Sequence, residues 1–150
     1  MSGMSGGESE SLASQFSRMR FEQIVSTLLD RRSDPAKLEA LFAPEADWMM
    51  NGDRSRWPYA GLSCRRESIL AYLKAFSVEF QQKKIRFHDV LINGEQACAR
   101  YEMRLRHRGT GREDLLQCLS FIRVEGDAVV EVHEFIDSAL LFRLRESVED

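Results

Sequence analysis

Three histidines, three cysteines and a scatter of carboxylates are the side chains here whose types suit catalysis or metal binding. Histidine titrates near neutrality, so one facing an apolar pocket can pass a proton as general acid or base. His88 is followed by Asp89 on a predicted strand, where adjacent side chains face opposite ways, so the two do not act as a pair. His107 sits in a basic cluster with Arg104, Arg106, Arg108 and Arg112. That cluster flanks a glycine-containing turn and reads as a solvated hairpin tip. His133 lies within the last predicted strand. Asp137, further along the same strand, is about 13 Å away, too far for a direct hydrogen bond, and reads as the cap of a terminal helix.

The spacing of the remaining ligand types points away from bound groups. The histidines form no His-x-x-x-His pattern, so no metal is expected. Cys64, Cys98 and Cys118 are odd in number and contain no Cys-x-x-Cys pair, which argues against a disulfide framework or structural zinc. A glycine-rich phosphate loop is also missing, so no nucleotide cofactor is expected.

The elements that would position these residues follow from periodicity. Phe21, Ile24, Val25, Leu28 and Leu29 fall on one helical face, predicting a helix from near Leu12 to Arg31. Asp34-Pro35 is an N-cap followed by proline at the first helical position, opening a short helix with Leu38, Leu41 and Phe42 that stops at Pro44. Ala46 to Asn51 suits a short strand. A loop with Trp57, Pro58, Tyr59 and Gly61 leads to a third helix striped by Ile69, Leu70, Leu73 and Phe76, with Ser63 as its plausible cap.

The period then changes to two. Strands are predicted from Ile85 to Ile92, through the alternating Ala97, Ala99, Tyr101, Met103 and Leu105, from Glu113 to Val124, and from Ala128 to Ile136. Asn93-Gly94, Arg108-Gly109-Thr110-Gly111 and Glu125-Gly126-Asp127 supply the turns. A short helix with Leu140, Leu141 and Leu144 follows. The order α-α-β-α-β-β-β-β plus a short C-terminal helix predicts an α+β fold: a curved, cone-shaped antiparallel sheet with three N-terminal helices packed across its concave face.

Composition bounds the partners. At 150 residues, 43% hydrophobic and 30% charged, the chain suits one core. The expected organisation is a tail over residues 1–10, rich in small and polar residues, and one domain over 11–150. A net charge of −3 with interspersed signs gives no footprint for nucleic acid. No apolar run is long enough to span a bilayer and no signal-peptide pattern opens the chain, so a cytoplasmic protein is expected.

Several strings support a family resemblance. D-P-A-K-L-E-A-L-F-A-P-E-A-D-W, from Asp34, looks like a second helix running into a first strand. Y-A-G-L-S-C-R-R-E-S-I-L-A-Y-L, from Tyr59, places a glycine before a third helix, and V-V-E-V-H-E-F-I-D, from Val129, looks like a final strand. Together they resemble the SnoaL-like, nuclear transport factor 2-like superfamily over roughly Phe16 to Leu141. That superfamily includes ketosteroid isomerases, polyketide cyclases, dehydratases and epoxide hydrolases beside many proteins with no chemistry, so function must be argued at the site.

A gap-free overlay on the family pattern implies that Trp48, Met50, Tyr101, Met103, Cys118, Ser120, His133 and Phe135 face the interior, with Tyr59 in the loop near the pocket mouth, as a lid or a plug. The set is mostly apolar and suits a small hydrophobic ligand, unless it is plain core. A ketosteroid-isomerase mechanism is rejected, because its base falls on Met50, its tyrosine on Ser26 and its second carboxylate on Ser120. His133 is the candidate acid/base for a cofactor-free isomerase, dehydratase or cyclase acting on a small carbonyl compound, with Tyr101 or Ser120 as partner. Hydrophobicity alone would instead turn Val130, Val132, Glu134 and Ile136 inward. On the outer sheet face Arg100, Glu102, Gln117, Leu119 and Phe121 form a half-apolar strip, the expected contact of a homodimer.

Overall fold

The computed structural model describes residues 11–146; the expected tail over residues 1–10 lies outside them. Helix α1, Leu12–Leu29, begins where the Ser11 hydroxyl accepts from the Ser14 N–H, and it buries Phe21, Ile24, Val25, Leu28 and Leu29, the predicted stripe. It ends two residues before the expected Arg31, because Asp30 is already extended. Helix α2, Pro35–Leu41, starts as expected, with the Asp34 carboxylate accepting from the Ala36 N–H and proline opening the first turn.

Strand β1, Phe42–Met50, follows without a break and runs through Pro44 rather than starting after it. A strand not anticipated from sequence, β2 at Gly61–Cys64, pairs with β1 before helix α3, Arg66–Glu79. Four residues are too few to show a period of two. Ser63 therefore lies in a strand, and the cap position of α3 is Arg65, at φ 73° with no side-chain hydrogen bond. Strands β3 (Phe80–Asn93), β4 (Gln96–His107), β5 (Glu113–Glu125) and β6 (Ala128–Ile136) form the meander. Helix α4, Ser138–Arg145, is capped by the Asp137 carboxylate, which accepts from the Leu140 N–H.

The fold is α+β, with strand order β2-β1-β6-β5-β4-β3. The expectation of an antiparallel sheet needs one correction, since β1 and β6 run parallel and the sheet is mixed. The first long strand is thus hydrogen-bonded to the last, a pairing no local signal announces. Register shifts in the β3–β4 and β5–β6 ladders mark bulges, which bend strands. The inner face carries Ala46, Trp48 and Met50 from β1, Tyr101, Met103 and Leu105 from β4, and Leu116, Cys118 and Ile122 from β5. They join one core with the buried faces of α1, α3 and α4.

Candidate functional site

Side-chain direction on β6 decides the site. Val132, Glu134 and Ile136 are buried, whereas His133 is half-buried and Phe135 exposed. The placement of His133 and Phe135 toward the interior is therefore corrected: both lie on the outer face, their rings stacked at 4.2 Å. A strand's two faces differ by one residue of register, and the gap-free overlay was out by that one residue at β6. His133 accordingly meets neither Tyr101 nor Ser120. Those two hydroxyls satisfy each other at 2.8 Å.

The other implied interior residues do face inward. Trp48, Met50, Tyr101, Met103, Cys118 and Ser120 are all buried. Met50 accepts the Trp57 indole N–H at 3.0 Å through its sulfur. Tyr59 donates to Glu79 at 3.0 Å and packs against Trp57 at 4.9 Å. Burial, and then the Glu79 carboxylate beside it, push the Tyr59 hydroxyl up to about 12. Trp57 itself is buried in the core.

The residue that sequence reasoning passed over is Glu134. It is fully buried on the inner face of β6. One carboxylate oxygen accepts from the Trp48 indole at 2.8 Å and from the Tyr72 hydroxyl at 2.9 Å. The other accepts from Nη2 of Arg31 in a buried ion pair. Nη2 also donates to the Tyr72 hydroxyl at 3.3 Å. The guanidinium lies over three rings, Phe76 at 4.8 Å, Trp48 at 5.3 Å and Tyr72 at 5.6 Å, a cation–π arrangement.

The turn after α1 delivers Arg31 to this position. Gln82 on β3 accepts the Arg31 backbone N–H at 2.8 Å and donates to Asp30 at 2.9 Å. Asp30 is further tied to the guanidinium and backbone of Arg32. Burial would raise the Asp30 carboxyl, but these bonds outweigh it and hold the group below its ordinary value. Burial likewise works against the charge on Arg31, and the Glu134 carboxylate overcomes it, so the pKa of Arg31 is raised. Burial also pushes the Tyr72 hydroxyl well above its usual range.

The cluster is thus an ion pair closed on itself: Glu134 has three donors, one of them its counter-ion Arg31. Arg31 is less complete. Its Nε and Nη1 are buried and have no hydrogen-bond partner. Arg31 also lines a cleft of about 200 Å³ between the end of α1, α2 and α3, walled by Leu28, Leu38, Leu70 and Leu73. A signal for the cluster exists in the sequence, namely a carboxylate on the apolar parity of β6 and an arginine just past an apolar helix face. Among the described residues, no group of three or more histidine, cysteine or acidic side chains comes together to hold a metal ion.

A family model described as a SnoaL-like domain matches residues 13–132. The fold is similar to that of a candidate SnoaL-like polyketide cyclase from Jannaschia sp. CCS1, at a TM-score of 0.76 and 12% identity, covering 95% of this chain and 100% of that one. A candidate isomerase from Rhodopseudomonas palustris gives a TM-score of 0.70 at 16% identity, over 93% of this chain and 100% of that one. An NTF2-like protein from Burkholderia xenovorans LB400 gives 0.69 at 23%, over 85% and 97%. At these identities the likeness shows the fold. No curated protein matches the chain by sequence.

Proposed function

Because this chain belongs to the family of SnoaL-like domains, we propose that it binds a small, mainly hydrophobic molecule in the cleft between α2 and α3, with no cofactor. The observation that carries this reading is the cleft itself: apolar walls from Leu28, Leu38, Leu70 and Leu73, with Arg31 held among the polar groups behind them as its one buried charged side chain and the exposed Glu39 and Lys74 at its rim. Few polar groups in an apolar recess are what orient a small ligand. Work in the cytoplasm fits the three free cysteines and the lack, among the described residues, of a helix long and apolar enough to cross a membrane.

A thermal-shift screen of small ketones, lactones and aromatic compounds tests the reading, run on the wild type and on Leu70→Trp, which fills the cleft. A ligand at a hundred times its dissociation constant adds about 2.7 kcal/mol of stability, a shift of several degrees for a chain of this size. The expected result is a hit that disappears in Leu70→Trp. Hits that persist in that variant, or none at all, would sink the proposal.

A second observation favours a homodimer. On the outer sheet face Leu62, Met49, His133, Phe121, Cys98 and Leu91 are successive cross-strand partners, a row that crosses all six strands. Leu119 and Phe135 pair beside it. Arg100, Glu102 and Gln117 lie on the same face, where Arg100 is bound to Asp89 and Gln117 to Glu102. We propose that a second copy covers this face.

A further inference from the structure

We propose that the polar group read by Arg31 is an uncharged oxygen acceptor, a carbonyl, ether or hydroxyl, and that the cleft discriminates against carboxylates. The inference rests on the cleft being a binding site and names the class of ligand it takes.

Two features of the cluster carry it. The first is charge. Arg31 is paired with Glu134, and the remaining contacts of that carboxylate come from the neutral Trp48 and Tyr72. The buried pair therefore sums to zero, and a ligand carboxylate would add an uncompensated negative charge beside Glu134. Lys74 and Glu39 on the cleft lining are both exposed and of opposite sign, so they do not shift this balance.

The second is the shape of a guanidinium. It offers a carboxylate two forked edges, one through Nε and one nitrogen, the other through the two terminal nitrogens. Nη2 belongs to both forks and is already committed to Glu134 and Tyr72. The unpartnered donors are Nε and Nη1, which lie on different sides of the group. Each can serve a single acceptor, and neither can join a fork with a free neighbour. A buried donor without a partner is costly. Both nitrogens are closed off in this structure, so a ligand oxygen reaches one through a small shift of the Arg31 side chain toward the cleft it lines, and doing so removes that cost.

Matched aromatic probes separate the possibilities: acetophenone, benzoate and ethylbenzene, titrated into the full chain and followed by nitrogen–proton NMR. The backbone amides of Leu38, Leu70 and Leu73 report on the cleft, and the Arg31 Nε–H, assigned through its own bonds, reports on the donor. Leu70→Trp serves as the blocked control. Acetophenone is expected to move the cleft amides and the Arg31 Nε–H together. Ethylbenzene should bind about tenfold more weakly and leave that side-chain signal in place, and benzoate should bind weakest.

Benzoate binding as tightly as acetophenone would overturn the inference. Equal affinities for acetophenone and ethylbenzene, with the Arg31 signal unmoved, would overturn it while leaving the cleft as a binding site. Cleft amides that respond to none of the three would overturn both.

Discussion

Glu134 is a buried carboxylate whose partners all come from the fold itself. Its carboxylate is buried among donors from α3, β1 and the turn after α1. Glu134→Gln would remove the charge while leaving the guanidinium of Arg31 in the interior, and breaking such a pair costs about 3–5 kcal/mol. The double substitution Arg31→Met with Glu134→Leu removes both charges but leaves the Trp48 indole and Tyr72 hydroxyl without their acceptor, so its stability should lie between that of the single variant and the wild type. Urea unfolding of the single and double variants checks this; a double variant as unstable as the single one would show that the polar contacts of the pair, and not its charge balance, matter most. The tyrosines make a second test at this scale, since the structure raises the hydroxyls of all three, Tyr59, Tyr72 and Tyr101. A raised folded value means stability that is fully present below about pH 10, the ordinary tyrosine value, and lost as pH rises, through about 12 for Tyr59. Phenolate absorbance in an alkaline titration should therefore lag behind that of the urea-unfolded chain; coincident curves would contradict the burial described here.

Elements with local signals were the legible part of the fold. The stripe of α1, the Asp34-Pro35 start of α2, the Asp137 cap and the alternation of β4 all depend on residues a few positions apart, and all are present in the structure. What escaped depends on distant partners. β2 exists because β1 offers it an edge, and β1 lies parallel to β6 because α3 and the meander carry the chain around. Legibility at the site divided the same way: the apolar parity of β6 put Glu134 inward, whereas carrying over a family pattern put His133 there. The Arg31 partner of Glu134 lies 103 positions away, beyond any periodic signal. Arg65, the junction of β2 and α3, carries a prediction of its own. It is the one non-glycine residue with positive φ among those described, and its N–H is held at 2.8 Å by the Ala46 carbonyl. Glycine tolerates that backbone, so Arg65→Gly should raise stability by about 1 kcal/mol once the greater freedom of the unfolded chain is counted. A lower urea midpoint for Arg65→Gly would show that the arginine side chain contributes more than its backbone costs.

For the whole molecule, among the described residues, one face of the sheet is closed by helices and the other is open. Exposed Leu62, Leu91, Leu119 and Phe135 on the outer side make a patch of the kind that association covers. Light scattering at high micromolar concentration should return a dimer, and Phe121→Arg, in the middle of the cross-strand row, should return a monomer with an unchanged fold. A wild-type monomer would leave the outer face to some other partner. The pairing of β1 with β6 also bears on how the protein is made. Synthesis delivers Arg31 and β1 well before β6, so the arginine has no Glu134 to pair with, and the sheet no strand between β1 and β5, until β6 has been made. A nascent chain of this protein therefore waits for its sixth strand before its centre can be assembled.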